Sequence, residues 1–289
     1  MAQRFSSRNS GYQDYSHTQG KVGTGGGRTP RDRARRELSQ NFLVNRQAVE
    51  SIVEVANPRG LVLEPGAGEG ALTLALADRA AQVIAYELDP LPAAKLSART
   101  RARPEIRVVR GDFLRARAPR TPFAVVGNIP FSATAEIVDW CLNSPALTSA
   151  TLLTQLEYAR KRTGDYGRWS LRTVLSWPWF TWQLHDRVPR NAFRPVPAVE
   201  AAIVRIDRRQ QPLVADRASY EQLVELGFSG IGGSVDASLK TRYPHVNSAL
   251  AAAGIAPGTV VAYVHPDQWV ALHEALAGQP PRTRRIATV

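Results

Sequence analysis

The order of apolar segments predicts an α/β fold with a mostly parallel sheet, followed by a small helical C-terminal domain. Three observations carry this. Short apolar runs alternate with amphipathic stretches from about residue 46 to residue 153, the pattern of strands joined by crossover helices. A glycine-rich segment, Gly66-Ala67-Gly68-Glu69-Gly70, falls between the first such run and the helix after it. Beyond residue 211 the strand-like runs stop and only helical spacing persists.

The first helix is marked by Val49, Ile52, Val53 and Ala56 at i, i+3, i+4 and i+7, with Asn45 placed to cap its N-terminus. Leu61-Val62-Leu63 reads as the first buried strand, and Leu72, Ala75 and Leu76 mark the helix that follows. Val83-Ile84-Ala85-Tyr86 is a second strand. Asp89-Pro90 opens another helix, with the acid at the cap and proline in the first turn. Ile106-Arg107-Val108-Val109 and Phe123-Ala124-Val125-Val126 are the third and fourth strands, a helix covers Ala135 to Leu142, and Thr151-Leu152-Leu153 begins a fifth strand. Residues 161–168, KRTGDYGR, read as a basic loop, and Trp169, Trp177, Trp179 and Trp182 as packing residues. Ala198 to Ile206 is the last strand, and Asp207 to Pro212 a polar linker. Trp269, Leu272, His273 and Leu276 line one face of a final helix, preceded by Pro266 and stopped by Gly278 and Pro280.

This gives four segments: a basic tail over 1–30 that lacks the apolar content to fold, an α/β domain over 31–210, a helical domain over 211–280, and a basic tail over 281–289. No apolar run is long enough to span a membrane, and the polar first 20 residues do not resemble a signal peptide. Cys141 is the only cysteine and the five histidines are scattered, so neither an internal disulfide nor a metal site is expected. A cytoplasmic protein without membrane contact and without an obligate protein partner fits. The net charge of +12 points to a polyanionic partner. Codon bias is the alternative source of that charge, since 33 of the 37 basic residues are arginine and only Lys21, Lys95, Lys161 and Lys240 are lysine.

The glycine segment allows a sharp turn and close approach of backbone to a ligand. Its G-x-G-x-G spacing is one residue shorter than the dinucleotide fingerprint, which suits a ligand without a pyrophosphate, such as S-adenosylmethionine. Gly66 and Gly68 would face that ligand. Glu87 ends the second strand, where a carboxylate can accept hydrogen bonds from ribose hydroxyls. Asp112, after the third strand, could accept from the adenine amine of the ligand with Phe113 beside the ring. Each acid alone would read as a turn residue or helix cap. Three loops at successive strand ends favour a nucleoside cofactor at the carboxyl edge of the sheet.

Asn128-Ile129-Pro130-Phe131 follows the fourth strand. As an isolated run it reads equally as a tight turn. Behind a nucleoside-binding loop it has a sharper meaning. An adenine N6 amine is a poor nucleophile because its lone pair is delocalised into the ring. The Asn128 side-chain oxygen and the Ile129 carbonyl can both accept from that amine, favouring pyramidalisation. Pro130 stiffens the turn, and Phe131 offers a ring for an extruded base to stack on. Phe193, in Phe193-Arg194-Pro195-Val196-Pro197, has two readings: the second face of a base sandwich, or a buried residue of a rigid hairpin loop.

Taken in order, Leu38-Ser39-Gln40-Asn41-Phe42-Leu43, Glu64-Pro65-Gly66-Ala67-Gly68-Glu69-Gly70, Glu87-Leu88-Asp89, Gly111-Asp112-Phe113-Leu114, Asn128-Ile129-Pro130-Phe131 and Phe193-Arg194-Pro195-Val196-Pro197 resemble the rRNA adenine-N6 dimethyltransferase superfamily. The resemblance is greatest to its Erm branch, the erythromycin-resistance enzymes, and covers about residues 38–206. It implies a Rossmann-like S-adenosylmethionine methyltransferase domain, with cofactor contacts at Asn41, Leu43, Gly66, Glu87, Asp112 and Asn128. It also implies mono- or dimethylation of one adenine in the peptidyl-transferase region of 23S rRNA, before ribosome assembly is complete, with resistance to macrolide, lincosamide and streptogramin B antibiotics. Phe131 departs from the tyrosine common in relatives, which keeps stacking and loses a hydroxyl. The rivals are the housekeeping branch, which dimethylates small-subunit rRNA and typically reads N-L-P-Y at this turn, and a non-catalytic RNA-binding protein with the same fold.

Overall fold

The computed structural model describes residues 41–230 and 233–277. The two basic tails, the Leu38-Ser39-Gln40 part of the first motif, and Gly278 and Pro280 as helix stops lie outside the described residues.

Helix α1 (Arg46–Ala56) begins where its sequence predicts: the Asn45 side chain accepts from the Ala48 amide at 2.9 Å, and Asn57 closes it in a left-handed conformation. Five parallel strands and their crossovers follow. These are β2 (Leu61–Pro65), α2 (Ala71–Ala77), β3 (Gln82–Glu87), α3 (Pro90–Arg99), β4 (Ile106–Arg110), β5 (Phe123–Asn128), α4 (Thr134–Leu142) and β6 (Leu147–Gln155), the last of which also pairs in parallel with β5. Asp89 caps α3 by accepting from the Leu91 amide at 3.0 Å. The chain continues through α5 (Leu156–Thr163), α6 (Leu171–Ser176), β7 (Phe180–Val188) and β9 (Ala201–Arg208). The last two add antiparallel strands to give a seven-stranded sheet of order β4-β3-β2-β5-β6-β9-β7. A separate two-residue pair joins β1 (Phe42–Leu43) to β8 (Phe193–Arg194), with Leu43 opposite Phe193.

The sheet is buried on both sides, as continuous apolar strands require. Val62, Val126, Leu153 and Ile203 face Ile52 and Val53 of α1 and Leu72 and Leu76 of α2. Their neighbours in sequence, Leu63, Val125, Leu152 and Val204, face Ile137, Val138 and Cys141 of α4 on the opposite side. The C-terminal helices α7 (Arg217–Phe228), α8 (Val235–Leu239), α9 (Val246–Ala252) and α10 (Pro266–Ala277) bury Tyr220, Leu223, Leu250, Trp269 and Leu272 in a cluster of their own, joined by Val174 of α6.

Several elements differ from the sequence reading. β6 starts at Leu147, four residues before Thr151, because the Thr148 hydroxyl bonds to the Phe123 carbonyl and lets a polar residue sit in the strand. β7 was not expected as a strand. It is the outer strand, and Gln183, Asp186 and Arg187 interrupt the apolar pattern on its solvent side. Asp207 and Arg208 belong to β9 and not to a linker; Arg205 and Asp207, two residues apart on one face, pair at 2.7 Å. Lys161 to Thr163 form the last turn of α5, so the basic segment is loop only from Gly164. Pro266 is the first residue of α10 instead of preceding it.

Candidate active site

The carboxyl ends of β2, β3 and β5 build the site. Gly66, Gly68 and Gly70 all adopt positive φ, at 69°, 58° and 89°, a backbone that L side chains rarely take. The bend therefore doubles back within five residues and presents main chain. A methyl group on Gly66 would lie 3.6 Å from Pro130 and 3.7 Å from the Asn128 carbonyl. The glycine bend and the N-I-P-F turn are thus in contact range, although they are 62 residues apart in sequence.

Glu87 ties the bend to the strand ends. Its carboxylate accepts from the Gly68 amide at 2.7 Å and the Asp89 amide at 2.8 Å, and its carbonyl accepts from the Gly111 amide at 3.0 Å. Burial pushes the Glu87 carboxyl above its ordinary range, and the Asp89 and Gly68 amides oppose the shift. One residue further on, Asp112 accepts from the Leu114 amide at 2.9 Å and lies 3.7 Å from Arg115. In this structure it therefore acts as the cap of a 3-10 turn, Phe113–Arg115.

Asn128 ends β5, and its Nδ2 donates to the Asn41 main-chain carbonyl at 2.8 Å. A carbonyl can only receive from the NH2 end of the amide, so this bond fixes which end is the oxygen. Oδ1 is left on the side away from Asn41, available as an acceptor. Pro130 opens the following turn at φ −58°, accepting from the Ala133 amide at 3.0 Å, and the Thr134 hydroxyl donates to the Phe131 carbonyl at 3.0 Å. The ring of Phe131 is partly exposed, whereas the Ile129 side chain is buried in the α4-side core, leaving its main chain at the turn.

Asn41, Gly66, Glu87, Asn128, Ile129, Pro130 and Phe131 line a single cleft, together with Phe42. Gly68 is bonded to Glu87 of this lining, whereas Asp112 is not part of it. Three expected side chains are not brought there. Leu43 is 6% exposed and packs against α1 and α2. Phe113 is 5% exposed and packs against Tyr86 and Trp140, at ring separations of 5.5 and 4.5 Å. Phe193 is 0% exposed, so it presents no face to a base in this conformation. Burial of apolar surface places all three in the core. Of the two readings of Phe193, the packing one describes its position here: through β8 it holds β1 in place.

Three features escaped the sequence reading. Phe42 covers the glycine bend, 3.1 Å from where a Gly68 methyl would sit. The cleft beneath is about 30 Å³, room for roughly one water and not for a nucleoside in this conformation. The Asn41 carbonyl orients Asn128. Glu64 is buried at the end of β2 and accepts from the Thr73 hydroxyl at 2.6 Å. Burial raises its carboxyl to about 8, with the Thr73 bond opposing and nearby Glu87 adding to the shift. An acid inside an otherwise apolar strand was the available signal for Glu64.

A mostly parallel sheet covered by helices on both faces, with a glycine bend beside the Asn128–Phe131 turn at its carboxyl edge, is the architecture of a Rossmann-like methyltransferase. The family model for ribosomal RNA adenine dimethylase matches residues 31–278, and the chain belongs to that family. It is 51% identical over 272 residues to an rRNA adenine N-6-methyltransferase of Saccharopolyspora erythraea, covering 90% of this chain and 71% of that protein. It is 38% identical over 251 residues to the mycinamicin-resistance protein MyrB of Micromonospora griseorubida, covering 85% and 80%. The crystal structure of the 23S rRNA methyltransferase ErmE superposes with a TM-score of 0.79 at 51% identity, over 82% of this chain and all of that one.

Proposed function

We propose that this enzyme transfers methyl groups from S-adenosylmethionine to the N6 amine of one adenine in 23S rRNA, and that the modification confers resistance to macrolide, lincosamide and streptogramin B antibiotics. One observation carries the reading: a single cleft is lined by the glycine bend, by Glu87 and by the Asn128–Phe131 turn. The donor set suits this cofactor, because bare main chain at Gly66 and Gly68 admits close approach and a buried carboxylate at Glu87 can receive ribose hydroxyls. At the next strand end, the Asp112 carboxylate would receive the adenine amine of the cofactor. When bound, the cofactor supplies an electrophilic methyl on a sulfonium.

The remaining work falls to the chain itself. Asn128 Oδ1, held outward by the Asn41 carbonyl, and the Ile129 carbonyl accept from the two hydrogens of the target amine. Two acceptors out of the base plane localise the nitrogen lone pair and aim it at the methyl, so their contribution is orientation and transition-state stabilisation. Phe131 stacks on the extruded base and Pro130 limits the motion of the turn. A resistance role is supported by the similarity to MyrB and the 23S substrate by the similarity to ErmE.

The test offers protein-free 23S rRNA and immature small subunits separately with radiolabelled cofactor, followed by primer extension to locate the base. Label on one adenine of the peptidyl-transferase region is expected. Label confined to small-subunit RNA would overturn the assignment in favour of the housekeeping branch.

A further inference from the structure

We propose that the outer edge of the sheet at β4, with the loop that follows it, is a phosphate-binding track that docks the RNA substrate. Residues 99–120 hold eight arginines, Arg99, Arg101, Arg103, Arg107, Arg110, Arg115, Arg117 and Arg120, against two acids, Glu105 and Asp112. Their net charge of +6 is half the +12 of the whole chain. Codon bias alone would scatter 33 arginines evenly and place two or three in a stretch of this length.

Three of the eight are tied to protein groups, Arg99 to the Glu69 carbonyl, Arg103 to Asp78 and Glu105, and Arg115 to Asp112, as are Arg172, Arg217, Arg205 and Arg208 elsewhere, whereas Arg59, Arg79 and Arg187 are exposed, scattered and untied. Among the described residues, the exposed side chains of Arg101, Arg107, Arg110, Arg117 and Arg120 make no hydrogen bond or ion pair. The architecture leaves them accessible. β4 is a terminal strand, and its connection to β5 forms only the three-residue turn Phe113–Arg115 and a loop, where the neighbouring crossovers form helices. The arginines run from Arg110 and Arg115 at the carboxyl end of β4, past Arg107, to Arg101 at its amino end and Arg120 before β5. That is about 17 Å for a five-residue strand. β4 lies three strand spacings from β5, about 14 Å, so one RNA can engage the track and reach the Asn128 turn. Guanidinium forks without internal partners suit phosphate oxygens. Simple protection of a sheet edge against self-association calls for charge on the strand itself and does not account for Arg101, Arg117 and Arg120 outside it.

This rests on the proposed RNA methyltransferase activity, and the experiment separates the two. Binding of protein-free 23S rRNA is measured across a range of salt concentrations for the wild type and for R107Q/R117Q/R120Q, with methyl-transfer kinetics and cofactor calorimetry alongside. In the triple variant, the slope of log affinity against log salt is expected to fall by about 2 to 3, KM for RNA to rise at least about tenfold, and kcat and cofactor affinity to hold. R107K/R117K/R120K should restore most of the slope. Single variants, each lowering the slope by about 0.7 to 0.9, serve if the triple variant folds poorly. Unchanged slope and KM would overturn the track, as would self-association of the variant with intact RNA affinity. A comparable salt-dependent loss of binding to phosphatidylserine vesicles would reassign the edge to a membrane surface. Failure of the wild type to methylate any RNA would sink the catalytic reading instead, since the binding slopes are read without turnover.

Discussion

Glu64→Gln isolates the energetic cost of an acid buried in β2 near Glu87. The glutamine keeps the shape and the bond from the Thr73 hydroxyl at 2.6 Å, and removes the titratable proton. Burial pushes the folded carboxyl up to about 8 from an ordinary 4.5. A raised acid binds its proton more tightly when folded, so its contribution is most favourable below about pH 4.5 and is lost as pH rises through about 8. At 1.36 kcal/mol per unit, the wild type gives up about 3 kcal/mol by neutral pH and about 5 kcal/mol when fully ionised. These are upper bounds, because water penetration relieves a buried charge. Urea unfolding of both proteins from about pH 5 to about pH 9 would read the difference. The variant should gain on the wild type steadily above about pH 5, with the gap levelling off past pH 8. Parallel stability curves over that range would refute the burial argument.

Asn128→Ala should lower kcat about 100-fold or more, by analogy with removal of one oriented hydrogen-bonding group at a transition state; Asn128→Asp should fare no better, since it turns a carboxylate oxygen toward the Asn41 carbonyl. Turnover of either near wild type, measured with radiolabelled cofactor, would contradict the assigned role. Gly127→Ala puts a methyl group 3.0 Å from the Pro65 main-chain oxygen, so it should cost about 1–3 kcal/mol in thermal unfolding and weaken cofactor binding by parting β2 from β5. Phe193→Ala should destabilise the fold by about 3–5 kcal/mol in urea titrations, because its ring is fully buried.

The inner parallel strands were legible because they are buried and carry apolar runs, as in Leu61-Val62-Leu63, and β4 kept enough of the pattern in Ile106, Val108 and Val109 despite exposed Arg107. The Asn45 cap was legible because capping is local chemistry. β7 was not, since an outer strand alternates with solvent-facing Gln183 and Arg187 and its pairing with β9 is decided by partners far along the chain. The same holds for the site. Gly66, Glu87 and Asn128 stand at strand ends and can be placed by counting strands. Phe42 and the Asn41 carbonyl reach the cleft only through the pairing of β1 with β8, about 150 residues apart, and nothing in Gln40-Asn41-Phe42-Leu43 announces that contact. Of the two readings of Phe193 its burial matches the packing one, and Phe113, expected beside the cofactor ring, packs here against Tyr86 and Trp140.

The bond between Asn128 and Asn41 has a pharmacological corollary. The Asn128 amide is aimed by a peptide oxygen, so this aim survives replacement of the side chain at 41 but not a change in the path of the segment. That path is held by the pairs of Phe42 with Arg194 and Leu43 with Phe193, and by the Val44 and Asn45 amides, which donate to the Ala192 carbonyl. An inhibitor wedged between those short strands would turn the amide out of alignment while the glycine bend stayed intact, and it would not need to resemble or outcompete a nucleoside.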